Sequence, residues 1–113
     1  MSNIRKLPQG LYIEDSDESR ALVRRLLAEK YIVLEASNPL DGLQLAEETQ
    51  PNLILLDHNL PHMTGSEAAT RLKQMLPNTP IVIVSADTSP GARERALAAG
   101  AVGFISKPID DDF

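Results

Sequence analysis

The chain has 113 residues, of which 42% are hydrophobic and 24% are charged, as expected of one globular domain with one core. Its net charge of -5 disfavours non-specific nucleic-acid binding, which draws its affinity from Lys and Arg. It has no cysteine, which excludes disulfides and thiolate metal sites and suits a reducing cytoplasm, and its apolar runs are far shorter than the roughly 18 residues of a membrane span.

Five short aliphatic runs predict five strands. Residues 1–10 precede them without any periodicity and are interpreted as an N-terminal tail or linker, which leaves residues 11–113 as the domain. The predicted strands lie at residues 11–14, 31–35, 53–57, 81–85 and 102–105. Because these runs are apolar at successive positions, both faces of the sheet should be covered by helices, as in parallel sheets.

Helical segments separate these strands, and each opens on a recognisable start signal. Small polar residues cap a helix by accepting hydrogen bonds from its first amides, and proline suits the first helical position. The signals are, in chain order, Ser16 or Asp17, Asn38 with Pro39, the capping box of Thr64 and Glu67, and Ser89 with Pro90. The first helix should run toward Lys30, the third should stop before Pro77, and the fourth should end at Gly100.

The alternation of strands and helices predicts an α/β fold with a doubly wound parallel sheet. Right-handed crossovers leave few topologies for five strands, and the flavodoxin-like order 2-1-3-4-5 is favoured. In such a sheet a crevice forms at the carboxyl ends of the strands, where the connecting loops diverge. Residues that carry out chemistry are therefore expected at that edge.

Polar residues follow four of the five predicted strands. They are Glu14 and Asp15 at the end of the first strand, Asp57 at the end of the third, Ser85 at the end of the fourth, and Lys107 after the fifth. Strands 1 and 3 are neighbours in the predicted order, so three carboxylates should share one pocket. Two such charges ~4 Å apart repel by about 4 kcal/mol at an effective dielectric of 20, which a divalent cation would relieve.

An oxygen site of this kind suits Mg²⁺, Mn²⁺ or Ca²⁺, and Mg²⁺ is favoured because it needs few protein carboxylates and works with phosphoryl oxygens. A metal, a lysine and a hydroxyl around one carboxylate are the groups that phosphoryl transfer to that carboxylate requires. Asp57 would attack as the nucleophile, Lys107 would neutralise charge on the phosphoryl oxygens, and Ser85 would donate a hydrogen bond to one of them.

With these residues in place, the chain resembles the response-regulator receiver domains of two-component signalling over residues 11–110. Four motifs carry the resemblance, each at the end of a predicted strand. They are IED at 13–15, LDHNLPHMTG at 56–65, VSA at 84–86 and GAVGFISKP at 100–108. Each motif is weak by itself, but the four occur in the order and at the strand ends that the family requires.

The resemblance implies a role for each site residue. Asp57 is the phosphoacceptor, Glu14 and Asp15 are the acidic pair around Mg²⁺, and Asn59 supplies a backbone carbonyl to the metal. Ser85 is the switch hydroxyl, Lys107 contacts the phosphate and precedes a cis bond to Pro108, and Phe104 is the aromatic switch. Asn59 and Asp87 occupy positions that tune hydrolysis of the acyl phosphate.

The family also implies partners. A sensor histidine kinase or a histidine phosphotransfer protein would donate the phosphoryl group, and Asp57 would undergo self-phosphorylation and autodephosphorylation without turnover of a separate substrate. Receiver domains close with a fifth helix, but this sequence stops at residue 113, where that helix should start. Either the chain is a fragment, or a second copy or another chain covers the open face.

Other interpretations stay open at this point. Phe104 could be a simple core residue, and Glu14 and Asp15 could be helix-start carboxylates. His58 and His62 are interpreted as exposed loop residues, because no third ligand accompanies them. The rival functions are an aspartyl-nucleophile phosphatase, a flavin or nucleotide binder, and a pseudo-receiver that serves assembly. The acidic residues 14–18 argue against a bare phosphate loop.

Overall fold

The computed structural model describes residues 7–87, 89–107 and 109, which form one parallel sheet with helices on both faces. The strands are β1 (Gln9–Ile13), β2 (Ile32–Ala36), β3 (Leu53–Asp57), β4 (Asn59–Leu60), β5 (Met63–Thr64), β6 (Ile81–Ser85) and β7 (Gly103–Ser106). The helices are α1 (Asp17–Leu27), α2 (Pro39–Thr49), α3 (Gly65–Met75) and α4 (Ala92–Ala98).

The five long strands pair in parallel in the order β2-β1-β3-β6-β7. This order confirms the predicted 2-1-3-4-5 arrangement, once the two short strands β4 and β5 are left out of the count. Those two strands form a small antiparallel hairpin between β3 and α3, which the sequence did not predict. The sheet therefore brings β1 and β3 side by side, as the candidate site requires.

Alternate residues of each strand point to opposite faces of the sheet, and each face has its own core. From β1, Leu11 and Ile13 pack with residues of α2, α3 and α4, including Ala46 and Leu72. Tyr12 points to the opposite face, where it packs with α1 residues, Leu55 and Val84. This alternation confirms that both faces are covered, and it places every second residue of β1 on the α1 side.

Three of the four predicted helix caps are confirmed. Ser16, Asn38 and Thr64 each accept a hydrogen bond from the amide three residues later, and they begin α1, α2 and α3. The fourth start signal is wrong: Gly91, in a left-handed conformation, precedes α4, and Ala92 donates its amide proton to the Ser89 carbonyl. Ser89 and Pro90 therefore form a turn that leads into the helix instead of starting it.

Several element ends differ from the sequence prediction. β1 begins at Gln9, whose amide donates to Asn52 Oδ1, so two of the ten residues assigned to the tail belong to the sheet. α1 ends at Leu27, before Lys30. Gly100 has the expected left-handed φ of 110° after α4. The expectations for the Lys107–Pro108 bond and for the missing fifth helix fall on residues 108 and 110–113, which lie outside the described residues.

Across the described part of the chain, each helix is too short or too polar to cross a membrane.

Candidate functional site

Three carboxylates converge at the carboxyl edge of the sheet. One oxygen from each of Glu14, Asp15 and Asp57 lies within 4.8 Å of the others. Asp57 ends β3, and Glu14 and Asp15 directly follow the neighbouring β1. Glu14 and Asp57 are only 1% and 4% exposed, whereas Asp15 faces solvent. Two of the three acidic groups are therefore removed from the water that would otherwise solvate their charge.

Lys107 places a cation among these acids. Its Nζ lies 2.7 Å from Glu14 Oε1 and 3.0 Å from Asp57 Oδ1. Lys107 follows β7, and its backbone amide donates to the Ser85 carbonyl, which fixes the start of its side chain over the end of β6. From there the lysine bridges the two buried carboxylates, so one ammonium group serves two acids.

Glu14 is held by three donors. Its Oε1 accepts hydrogen bonds from Lys107 Nζ and from the Tyr12 hydroxyl at 3.1 Å, and its Oε2 accepts from the Ser16 amide at 3.3 Å. Tyr12 reaches Glu14 because residues two apart in a strand point to the same face. Burial raises the pKa of Tyr12, with the neighbouring Glu14 adding to the effect, so its hydroxyl stays protonated and donates.

The pKa values follow from this burial and pairing. Burial raises the pKa of Asp57 to about 6; the hydrogen bond from Lys107 opposes that rise, and the charge of Glu14 adds to it. Burial also works against ionised Glu14, but the bonds from Lys107 and its other neighbours outweigh burial and lower its pKa. The adjacent Glu14 side chain raises the pKa of Asp15.

Lys107 itself responds to both acids. Burial works against its charge, but the hydrogen bonds to Glu14 and Asp57 outweigh burial and raise its pKa. The lysine therefore stays charged at neutral pH. Among the described residues, Lys107 is the one cation paired with these carboxylates, so the site is short of positive charge, which fits a divalent cation bound by oxygen ligands.

Ser85 lies beside this cluster, at the end of β6 and next to β3 in the sheet. The side chain is buried, and its Oγ accepts a hydrogen bond from the Asp87 amide at 2.9 Å. Asp87 Oδ1 in turn accepts from the Ser89 amide, and its other oxygen lies 3.5 Å from Arg95 of α4. The hydrogen bond from Ser89 is the main cause of the lowered pKa of Asp87. The hydroxyl is thus tied to a loop that contacts α4.

Asn59 and Phe104 occupy the surroundings of the cluster. Asn59 is the exposed first residue of β4 and borders an open groove with Asp15. Phe104 is half-buried in β7, where it packs against the core and borders a narrow cavity with Ser85 and Asp87. Asn59 and Phe104 thus lie where the sequence motifs predicted them, and their assigned roles stay predictions.

The two loop histidines differ in burial. His62 is exposed and has a left-handed φ of 68°, as its position in the hairpin turn requires. His58 was expected to be exposed, but it is half-buried, because its amide pairs with the Val84 carbonyl and continues the β3–β6 contact. Neither belongs to the group of metal-competent side chains found among the described residues.

Three further residues contribute to the site beyond the roles predicted from the sequence: Tyr12, Ser16 and Gly65. Tyr12 lies within the first predicted strand, and its two-residue spacing from Glu14 is the sequence signal for this contact. Ser16 caps α1 as predicted, and its amide also donates to Glu14 Oε2. Gly65 opens α3 so close to β3 that its amide donates to the His58 carbonyl.

Replacing Gly65 with alanine should destabilise the protein by about 1–3 kcal/mol, because overpacking against fixed backbone has this effect. A Cβ there would lie 2.7 Å from His58 Cα and 2.8 Å from the Asp57 carbonyl oxygen. The matched control is Gly103→Ala, whose Cβ would meet Val82 at an ordinary 3.5 Å. Urea unfolding of both variants measures the difference, and equal stability of the two would contradict this prediction.

Comparison with known proteins places this arrangement in a family. The family model described as "Response regulator receiver domain" matches residues 11–112, so the chain belongs to the response regulator receiver domains of two-component signal transduction. It is 36% identical over 102 residues to the polar-differentiation response regulator DivK of Brucella anthropi, covering 88% of this chain and 83% of that protein.

Two further relatives show the range of proteins that contain such a domain. The high-resolution structure of the chemotaxis response regulator CheY4 of Vibrio cholerae has a TM-score of 0.88 and 28% identity, with 95% of this chain and 92% of that chain covered. Histidine kinase P4 of Formosa agariphila is 32% identical over 102 residues, which is 88% of this chain. The chain spans only 7% of that kinase's length.

Proposed function

We propose that this domain is a phosphoacceptor switch: it accepts a phosphoryl group on Asp57 in a Mg²⁺-dependent reaction and changes conformation to control an output or a partner. The observation that carries the proposal is the contact of buried Asp57 with Lys107 at 3.0 Å, beside the carboxylates of Glu14 and Asp15. The proposed donor is a sensor histidine kinase or a histidine phosphotransfer protein. The domain is proposed to span residues 11–113, together with Gln9 and Gly10 of β1.

The donor set suits Mg²⁺. Carboxylate oxygens from three residues lie close enough to share one ion, and hard oxygen ligands are those that Mg²⁺ prefers. Glu14, Asp15 and Asp57 would hold the ion together with the Asn59 backbone carbonyl. When bound, it would supply positive charge to the crowded carboxylates and to the oxygens of an incoming phosphoryl group.

Asp57 is prepared for nucleophilic attack. With a pKa of about 6, its carboxylate is largely ionised at neutral pH and needs no general base. A carboxylate oxygen forms a bond to phosphorus, the bond from phosphorus to the donor breaks, and the donor keeps that electron pair. Lys107 is placed to move from the carboxylates to an oxygen of the new acyl phosphate, where it offsets the added negative charge.

The conformational response would begin at Ser85. Its hydroxyl now accepts from the Asp87 amide, and donation to a phosphoryl oxygen on Asp57 would draw it toward β3. The loop of Asp87 and Ser89 would then lose its anchor and rearrange together with α4, whose Arg95 pairs with Asp87. Phe104 borders the same cavity and would move into the space that the Ser85 side chain leaves.

The proposal is tested by incubating the chain with acetyl phosphate and MgCl₂ and measuring the intact mass. We expect a gain of one phosphoryl group that is lost when EDTA removes the metal. The gain should also be absent in Asp57→Asn and retained in the control Asp41→Asn, which changes an exposed aspartate of α2. Phosphorylation that survives Asp57→Asn would remove Asp57 from this role, and a wild type that takes up no phosphoryl group would favour a pseudo-receiver.

A further inference from the structure

Tyr12 carries a polar group into an otherwise apolar core. Its side chain is 1% exposed, and its ring packs with Val23, Leu55 and Val84 on the α1 face of the sheet. The ring alone accounts for that packing, and phenylalanine would fill the same space. The hydroxyl reaches beyond the core and donates to Glu14 Oε1 at 3.1 Å, so its role concerns the carboxylate cluster.

Phosphorylation would change the donors available to Glu14. Lys107 is shared between Glu14 and Asp57, and the proposed function requires it to turn toward a phosphoryl group on Asp57. Glu14 Oε1 would then keep the Tyr12 hydroxyl, and Oε2 would keep the Ser16 amide. A buried, ionised carboxylate without hydrogen-bond donors is strongly disfavoured, so it turns toward water or toward another donor.

We propose that Tyr12 is a positioning residue of the cation site: its hydroxyl holds the Glu14 carboxylate in the orientation that lets it share a cation with Asp15 and Asp57, including when Lys107 binds phosphate. This inference rests on the proposed function. Tyr12 acts through Glu14, since the hydroxyl bonds to the Glu14 oxygen and the ring lies in the core. Hydrogen-bond partners of metal ligands commonly tune metal affinity in this way.

The test compares Tyr12→Phe with the control Tyr31→Phe. Tyr31 is the second of the two tyrosines; it precedes β2 at the opposite edge of the sheet, near Gly10. Titration of each full chain with MgCl₂ by calorimetry should give a Kd about tenfold higher for Tyr12→Phe and unchanged for Tyr31→Phe. Both variants keep their aromatic rings, and thermal melting confirms that they are folded.

Two further measurements separate positioning from a structural role. In phosphorylation by acetyl phosphate, Tyr12→Phe should raise the Mg²⁺ concentration for half-maximal rate about tenfold, with a rate at saturating Mg²⁺ close to that of the wild type. The amide resonance of Ser16, which binds Glu14 Oε2, should shift in Tyr12→Phe and stay in place in Tyr31→Phe.

The outcomes distinguish the two proposals. A wild type that neither binds Mg²⁺ nor accepts a phosphoryl group overturns the proposed function. A wild type that does both, with a Tyr12→Phe variant of unchanged Mg²⁺ affinity, overturns the role of Tyr12 alone. An equal loss of affinity in Tyr31→Phe also overturns it, because the effect would then be general loosening of the sheet.

Discussion

Replacing Lys107 with methionine is expected to destabilise the metal-free protein by about 3 kcal/mol. Removing one partner of a buried ion pair leaves the other charge uncompensated. For a fully buried pair this destabilises the fold by about 3–5 kcal/mol. Lys107 faces two such charges, on Glu14 and Asp57, but its own side chain is 25% exposed, which places the expected effect at the lower end of that range. Methionine keeps most of the length of the side chain.

The same substitution should increase stabilisation by Mg²⁺. Without the lysine, the carboxylates lack their neighbouring ammonium group, so a bound cation relieves more repulsion in the variant than in the wild type. Urea unfolding in EDTA and then in MgCl₂ measures both effects, with Lys30→Met, an exposed position after α1, as the control. If Lys107→Met and Lys30→Met were equally stable in EDTA, the lysine would not be compensating the buried acids.

Replacing Asp57 with asparagine should have the opposite effect on the metal-free protein, raising the free energy of unfolding by about 2 kcal/mol at neutral pH. Asp57 has a pKa of about 6 in the fold against an ordinary 3.8, so its ionisation disfavours the folded state. The difference between these two pKa values corresponds to about 3 kcal/mol of unfolding free energy. The expected gain is smaller than this, because Lys107 keeps one carboxylate partner in the variant instead of two.

The pH dependence follows from the sign of this shift. A raised pKa contributes stability that is present at low pH and is lost as the pH rises through the folded value of about 6. The advantage of Asp57→Asn should therefore be absent below about pH 3 and complete by about pH 7. Glu14→Gln is the matched control of opposite sign: the pKa of Glu14 is lowered, so this variant should be less stable than the wild type at neutral pH. Urea unfolding in EDTA across this range measures both, and a pH-independent gain for Asp57→Asn would contradict the argument.

The order of the sheet could be predicted from the sequence because its determinants are local. Aliphatic runs predict the strands, and the capping residues Ser16, Asn38 and Thr64 predict where three of the helices begin. With strands and helices alternating, the right-handed crossover rule favours one order of the strands. The convergence of Glu14, Asp15 and Asp57 followed from that order, because β1 and β3 are neighbours.

The parts that the sequence did not predict have a weak or misleading local signal, or depend on burial in the folded chain. The hairpin of β4 and β5 has strands of two residues, too short to show a periodicity. α4 begins after Gly91, which has a left-handed conformation. The sequence pattern of Ser89 and Pro90 is the stronger local start signal, and it predicts a start that is too early. The two-residue spacing of Tyr12 and Glu14 places both side chains on one face of the sheet, but their hydrogen bond also depends on burial of the carboxylate, which the sequence does not show.

The hydrogen bond between the Asp87 amide and Ser85 Oγ bears on how much the unphosphorylated domain would signal. A neutral hydrogen bond of this kind contributes about 1 kcal/mol net, which biases the resting arrangement roughly fivefold. In the proposed switch, this restraint by itself would leave a minority of unmodified molecules with the hydroxyl released and the loop free to adopt its responding form. The domain would accordingly have a basal output. The strength of this one hydrogen bond would help to set the ratio of that basal output to the output of the phosphorylated domain.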